Sequence, residues 1–473
     1  MSFFGRVSEG LKTISKNFTL EPLAKEFQPR IDEILKKHGK DRQRKSVLTP
    51  QLTTWLTLSL SLRRDLSYHN VLDWLVSGFR SLGWIIPRHS VENGAITHAR
   101  KRIGVTPFRD FFEASREVAR KVAADFHGLV SIGVDGTQMT MPNTPKNVAR
   151  FGKPRCGRGE AAFPQVRLVG LVAVAVQTVT DFAFGPCVGK GTGERSLAIQ
   201  LLLKNTLLGF LFLLDRGFFG FDLLDLIIKK GGHWLIRVPA HVKLKPIRKS
   251  RRSDGSYLAW LEGKVEDPSG PDSRGRKRWM SVRHQVRVVR YRIKGFRPTR
   301  LATTLLDAEI EAAELVRHSH RRWEVELTYD AIKTHQAARR TGQCSTVLRS
   351  KIPELVEQEI YAMLTTYNLV RDLISEAAAK HGIDPLAISF VDALCALIDA
   401  IPGMRAAPAE RLRTLYDQLL NDIARCVLKR RRRPRAYPRV VKVKMSNFKL
   451  KRRQHHEIRR DFAAEPKVLG ATG

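Results

Sequence analysis

Three carboxylates stand where chemistry is possible. Asp135 closes the apolar run Leu129 to Asp135 (LVSIGVD) and is followed by Gly136 and Thr137; Asp215 closes LFLLD and is followed by Arg216, Gly217 and Phe218. An apolar run ended by Asp-Gly or Asp-x-Gly reads as a buried strand delivering its acid to a sheet edge. A single such Asp is also a common turn former or helix cap. The third acid, Glu326, lies in Arg317 to Lys333 (RHSHRRWEVELTYDAIK), a stretch of good helix formers without Pro or Gly. Arg322, Glu326, Tyr329 and Lys333 stand at offsets of zero, four, seven and eleven. At about 100° per residue they fall within roughly 60° of one another on a helix, while Leu327 and Ile332 point elsewhere, toward a core. Taken alone, that face is a solvated surface with an (i, i+4) ion pair. Beside two strand-end acids it completes a set of hard oxygen ligands of the kind two Mg²⁺ ions need, with positions left for water and phosphate.

The charge balance says what such a site would work on. The chain has 473 residues and a net charge of +37, a surplus that implies a polyanionic partner, nucleic acid by default. No apolar run approaches about 18 residues, so no membrane span is expected. The N-terminus, MSFFGRVSEGLKTISKNF, lacks the features of a signal peptide. The five cysteines (156, 187, 344, 395 and 426) are scattered and lack C-x2-C spacing, which suits reduced thiols in a cytoplasmic protein without zinc.

The elements that must position the acids follow from the patterning. Residues 1–125 read mainly as helix. Leu52 to Leu62 and Val71 to Phe79 have helical apolar spacing, and Ser67 is placed as N-cap of the second. After the Trp84-Ile85-Ile86-Pro87 break, a turn at Asn93-Gly94 leads into a helix bearing Arg100, Lys101 and Arg102. That suits a helix-turn-helix with its second helix in a major groove, and equally an ordinary basic helix touching phosphates. From 126 strand and helix alternate. Gln138 to Pro142 reads as a strand paired by hairpin to the first, and Val166 to Val176 as a third strand. Between them the basic loop Asn147 to Glu160, with Arg150, Lys153, Arg155 and Arg158, is expected on nucleic-acid backbone. Gly185 to Ser196 is not a P-loop: three residues rather than four separate Gly185 from Gly189, and Gly191 follows Lys190, so no nucleotide is expected. Glu194 to Lys204 reads as a helix on the sheet.

Between Asp215 and Glu326 lie roughly 110 residues, far more than a crossover needs. Trp234 to Val238 is one strand. His241 to Lys245, Tyr257 to Trp260 and Trp279 to Arg292 follow as β segments joined by Gly-, Pro- and Asp-rich turns, giving a β-rich insertion over 240–305. Helices resume at Ile352 to Ser375, Pro385 to Ile401 and Pro408 to Leu428, with Gly382 near a C-cap. The tail from Lys429 to Arg453 holds thirteen Lys or Arg and no acid, including Arg430, Arg431 and Arg432. Such a block rarely folds alone and suits phosphate contact, or simple solvation.

Asp135 in VDGT, Asp215 in LDRGF, and Arg322, Glu326 and Lys333 in R-x3-E-x6-K resemble the DDE transposases of bacterial insertion sequences. More narrowly they resemble the IS-four family, with its Y-x2-R-x3-E-x6-K signature. Thr334 to Gln336 and Val347 to Lys351 are also similar, and the resemblance runs from about Leu60 to Lys451. The signature Tyr position is Ser319; the family Tyr contacts a DNA phosphate, and Tyr329 is the residue placed to stand in for it. The resemblance implies an α/β chain: a ribonuclease-H-like catalytic core (126–239 and 306–345) interrupted by the β-rich insertion, where the spacing alone would also allow a doubly wound sheet. It further implies a helical end-binding region (1–125), a helical C-terminal region (346–428) and a basic tail (429–473).

In function it implies Asp135, Asp215 and Glu326 holding two Mg²⁺ ions, replaceable by Mn²⁺, with Arg322 and Lys333 on phosphates. The partners implied are double-stranded DNA, as element ends and target, and a second copy in a paired-end homodimer near the nucleoid. In the family an aromatic side chain of the insertion holds a flipped base while a DNA hairpin forms; Trp260 and Trp279 are the candidates, each also a plausible core residue. Three other readings remain: a nuclease on the same fold, a catalytically impaired DNA binder descended from a transposase, and an RNA-binding protein, which leaves the acids unexplained.

Overall fold

The computed structural model describes residues 27–41, 48–80, 91–116, 122–156, 159–293, 298–336, 348–428, 435–436, 460–461 and 467–469. In chain order the helical start comprises α1 (Phe27–Lys37), α2 (Pro50–Leu62), α3 (Tyr68–Arg80), α4 (Asn93–Ile103) and α5 (Thr106–Arg116). Then come β1 (Val130–Thr140), α6 (Pro145–Phe151), a small hairpin of β2 (Arg155–Cys156) and β3 (Gly159–Glu160), β4 (Gln165–Ala173), β5 (Thr178–Pro186) and α7 (Glu194–Leu203). Next are β6 (Phe210–Leu214), α8 (Phe221–Lys229), β7 (His233–Arg237), β8 (Lys245–Pro246), β9 (Tyr257–Glu266), β10 (Trp279–Arg292) and β11 (Thr299–Thr303). The chain continues through α9 (Ala312–Ser319), α10 (Trp323–Asp330), α11 (Pro353–His381), α12 (Phe390–Ala406) and α13 (Ala409–Arg425). Three short strands follow, β12 (Arg435–Ala436), β13 (Arg460–Asp461) and β14 (Lys467–Val468). Arg158, Cys344, the Trp84 break and Arg430, Arg431 and Arg432 lie outside the described residues.

The chain divides into two compact units: Met1–Asp125, Asp135–Leu201 and Glu324–Val427 in the first, and Phe126–Val134, Leu202–Trp323 and Leu428–Gly473 in the second. In the first, α11 is the spine, packed against α2, α5 and α13. α2 is buried on every side. Thr53 and Thr57 donate their hydroxyls to carbonyls four residues back at 2.7 Å, which satisfies those two hydroxyls in an apolar setting. Ser67 accepts the Asn70 amide at 3.2 Å and caps α3 as expected. Gly382 ends α11 in the left-handed region at φ 65, where a side chain would be strained. β4 and β5 form an antiparallel hairpin, and β1 follows β4 in the sheet order.

In the second unit the order is β1-β6-β7-β11-β10-β9-β8. β6 pairs in parallel with β1, from Val130↔Phe210 to Val134↔Leu214, and with β7 on its other side. Four of β6's five residues are buried, as an apolar run between two parallel neighbours must be. The strands between residues 240 and 305 form no separate sheet: β11 pairs antiparallel with β7 and carries β10 and β9 outward. β14 pairs with β10 as well, so the chain's last strand returns to this sheet.

Several local expectations need correction. Asp135 does not close its strand. Gly136 keeps a backbone outside the left-handed region, no turn forms, and Gln138–Thr140 continues β1 rather than returning in a hairpin. The Val166 strand ends at Ala173; Gln177, at φ 55, turns the chain into β5, a strand not anticipated. His241–Leu244 is turn and coil, with strand at Lys245–Pro246 alone. Arg100 is not a DNA contact: it is 1% exposed. Its guanidinium donates to Gln358 Oε1 at 2.9 Å and to the Leu355 carbonyl at 3.2 Å, while Gln358 returns a bond to the Arg100 carbonyl at 3.1 Å. Lys101 and Arg102, on the outer face of α4, are exposed.

Arg100→Ala should therefore act on stability, at about 2–4 kcal/mol, because it strands buried partners. Lys101→Ala with Arg102→Ala should leave the denaturation midpoint within experimental error and weaken DNA binding. Urea titration and a gel-shift assay, run on both variants, check the split.

Candidate active site

The stretch around Glu326 is helical as expected and is not one regular helix. α9 runs to Ser319, His320–Arg322 tightens to a 3-10 turn, α10 spans Trp323–Asp330, and Ala331–His335 widens to a π turn. A π turn inside a helix is often found at a functional site. Here it carries a contact: Lys333 Nζ donates to Thr137 Oγ1 on β1 at 2.9 Å.

Tyr329 makes the second fastening. Its hydroxyl donates to the Asp135 carbonyl at 2.8 Å and accepts the Gly170 amide at 2.8 Å. The ring is 6% exposed. Burial, then the nearby charge of Asp135, hold the phenol far above its ordinary pKa, so it stays protonated and donating. Gly170 is required, because a side chain there would meet the Tyr329 hydroxyl. Tyr329 is thus no phosphate contact, contrary to its expected role: both faces of its hydroxyl are committed to backbone. Ser319, at the signature Tyr position, donates to the Val316 carbonyl of its own helix at 2.7 Å.

Glu326 lies one helical turn before Tyr329. The start of α10 is held separately. Gln177 donates to Glu324 Oε2 at 2.6 Å, accepts Arg371, and through its carbonyl accepts the Tyr367 hydroxyl at 2.8 Å. Asp135 Oδ1 accepts the Gly136 amide at 2.8 Å. A side chain at Gly136 would meet the Glu194 carboxylate, whose Oε1 lies 2.6 Å from where a Cβ would stand. Neither Gln177 nor Glu194 drew notice as a polar residue in sequence. The one available signal was Gly136 itself, a glycine after a strand acid that makes no turn.

In the second unit, Asp215 follows β6 and opens the turn Arg216–Phe218 without capping it through its side chain. Val134 and Leu214 are register partners, and in each strand the next residue is an acid. The turn His320–Arg322 lies against β6. The Arg322 guanidinium stands 5.8 Å from the Trp323 ring centroid. Trp260 is half-buried, with the Arg283 guanidinium over its ring at 4.0 Å, whereas Trp279 is 59% exposed. In the basic loop Arg150 pairs with Glu357 at 3.2 Å and Lys153 is half-buried.

Among the described residues no three or more His, Cys, Asp and Glu are gathered closely enough to hold a metal ion. The three acids expected as ligands, Asp135, Asp215 and Glu326, are all carboxylates, the ligand type that a hard divalent cation takes.

Residues 130–369 match the family model described as Transposase DDE domain. The chain belongs to the DDE transposase family. Residues 18–113 match the model of the Insertion element 4 transposase N-terminal region. Over 433 residues, 87% of this chain and 89% of the other, the sequence is 30% identical to Transposase InsG for insertion sequence element IS4 of Escherichia coli strain K12. Among solved structures, a piggyBac transposase synaptic complex with hairpin DNA aligns at a TM-score of 0.41 and 12% identity, over 83% of this chain and 82% of that one. As a DDE transposase of the IS4 kind, with a ribonuclease-H-like core, the chain is an enzyme that cuts and joins DNA strands with divalent metal. DNA is the polyanion its net charge answers. Among the described residues no helix is long and apolar enough to cross a membrane.

Tyr329→Phe should lower stability by about 1–3 kcal/mol, the cost of stranding a buried amide and carbonyl. It should also loosen α10 from β1 and slow cleavage by roughly tenfold, the order of effect a small displacement near reacting atoms has, while element-end binding persists. Denaturant titration and a nicking assay measure the two effects.

Proposed function

We propose that Asp135, Asp215 and Glu326 are the catalytic carboxylates of this transposase and that it cuts at its element's terminal inverted repeats through a hairpin intermediate. The observation that carries the reading is the fastening of the Glu326 helix to β1, by Tyr329 at the Asp135 carbonyl and by Lys333 at Thr137. The parallel register of Val134 with Leu214 supports Asp215 as the second acid.

The three carboxylates would hold two divalent ions, Mg²⁺ with Mn²⁺ as a substitute, whose charge makes bound water nucleophilic and steadies the leaving oxygen. Water attacks phosphorus at the element end and the 3′ oxygen leaves with a proton. The freed 3′-OH attacks the opposite strand, forms the hairpin, and after hairpin hydrolysis attacks target DNA. One set of residues serves every step, because each is an in-line displacement at phosphorus. Arg322 grips a phosphate as a bidentate fork, and Lys333, released from Thr137, grips one as a point charge. Trp279 is the better placed of the two insertion tryptophans to stack a flipped base, being exposed where Trp260 is covered. Lys101, Arg102, Arg150, Lys153 and the tail residues Arg430, Arg431 and Arg432 add phosphate contacts. Cutting a pair of ends takes two sites and therefore a homodimer, working in the cytoplasm at the nucleoid.

Glu326→Gln should keep end binding and abolish Mg²⁺-dependent nicking of a plasmid carrying both ends. Nicking at the wild-type rate would remove Glu326 from the site; binding without nicking by the wild type would make the chain a non-cleaving DNA binder. End affinity should also fall by roughly 10³–10⁵ between 50 and 200 mM salt if six to ten phosphates are neutralised, which fluorescence anisotropy at stepped KCl tests.

A further inference from the structure

Arg371 of α11 is 4% exposed, and among the described residues it forms no ion pair. A guanidinium out of water needs its charge met by other means. The Tyr367 hydroxyl accepts from its Nε at 3.0 Å, the Phe390 ring centroid lies 5.1 Å away, and Gln177 Oε1 accepts from its Nη2. The other end of the same carboxamide, Nε2, donates to Glu324 Oε2 at 2.6 Å. One amide therefore stands between a buried cation and a carboxylate, and both of its bonds are charge-assisted. Its direction is fixed: turned over, it would set its NH2 against the guanidinium and its oxygen against the carboxylate. Gln177 ends the turn between β4 and β5 at φ 55, a conformation that glycine adopts freely and other residues rarely take. What glutamine adds there is its side chain. The same hairpin meets α10 again where the Gly170 amide reaches Tyr329. Glu324 and Tyr329 bracket Glu326, two residues before it and three after. All of these residues belong to one compact unit.

We propose that Gln177 is a positioning residue for strand cleavage: by joining Arg371 to Glu324 it fixes the start of α10, and with it the place of Glu326. This inference rests on the assignment of Glu326 as a catalytic carboxylate. Gln177 is buried, so it acts on the helix and not on DNA. Its contribution therefore falls on the rate of the cutting step rather than on the hold on the element end.

The test is single-turnover cleavage of an element-end duplex by the full-length protein with Mg²⁺, read as rate constant and as amplitude. Loss of fold lowers the amplitude; a displaced acid lowers the rate constant. Gln177→Glu sets a carboxylate against Glu324 while giving Arg371 an anion. Its rate constant should fall about ten- to hundredfold, the order a small misplacement near reacting atoms costs, with amplitude and element-end affinity unchanged. Glu324→Gln alone should cleave at nearly the wild-type rate, because its amide oxygen still accepts from Gln177. Gln177→Glu combined with Glu324→Gln exchanges donor and acceptor, keeps an acceptor for Arg371 and should restore the rate. A wild-type rate in Gln177→Glu would overturn the proposal, as would a double variant no faster than Gln177→Glu, or a fall in amplitude alone. If Gln177→Glu does not fold, Glu324→Ala, which removes the acceptor from the helix side, takes its place and should show the same fall in rate constant. Glu326→Gln keeps the two readings apart: cleavage by that variant unseats the catalytic assignment, whereas its inactivity beside a wild-type rate in Gln177→Glu unseats the positioning role alone.

Discussion

A single buried hydroxyl ties the helix that carries Glu326 to the sheet beneath it. Tyr329 accepts the Gly170 amide and donates to the Asp135 carbonyl, so one side chain of α10 satisfies backbone on two strands at once. Backbone groups away from water must find partners. The phenol fills that need and in doing so sets where α10 lies along β1. Glu326 comes with it. The same helix is held at its start through Glu324 and Gln177 and beyond its end through Lys333 and Thr137. Three fastenings over ten residues leave Glu326 little freedom, as the proposed catalytic role requires.

Much of the charge in the first unit is structural. Arg100 is spent inside the fold on Gln358 and Leu355. Glu359 accepts the amides of Arg349 and Ser350, and Arg349 reaches the carbonyls of Leu60 and Leu66. Such networks fix one arrangement of helices where apolar packing alone would tolerate several. The second unit repeats the device: buried Arg287 meets Ser256 at 2.9 Å and pairs with Asp254, which takes the Ala312 amide at the start of α9. A surplus of 37 positive charges is therefore no map of the DNA-binding surface. Exposure selects the cations that can reach phosphate.

The elements were largely legible. The Trp279 to Arg292 strand, the helices after 352, the Ser67 cap and the Gly382 end were set by alternation, helical spacing and local capping chemistry, which act over a few residues. Asp135 shows where such reasoning stops. Asp-Gly is a turn signal, yet β1 runs through it to Thr140, because its place in the sheet outweighs the local preference of one dipeptide. The β5 strand was missed for the same reason: its partner β4, not its own pattern, makes it a strand.

The acids themselves and the R-x3-E-x6-K spacing were determined by sequence, since they depend on residue identity and short-range order. With them came the family, the demand for divalent metal and the expectation of DNA. The roles of individual polar residues were decided only by tertiary structure. Tyr329 and Arg100 looked like hands held out to phosphate and proved to be internal ties, while Trp323, unremarked among its charged neighbours, proved exposed. The physical reason is that a hydroxyl or guanidinium has the same hydrogen-bonding capacity toward backbone, side chain or phosphate. Which one it meets depends on what the distant parts of the chain bring beside it.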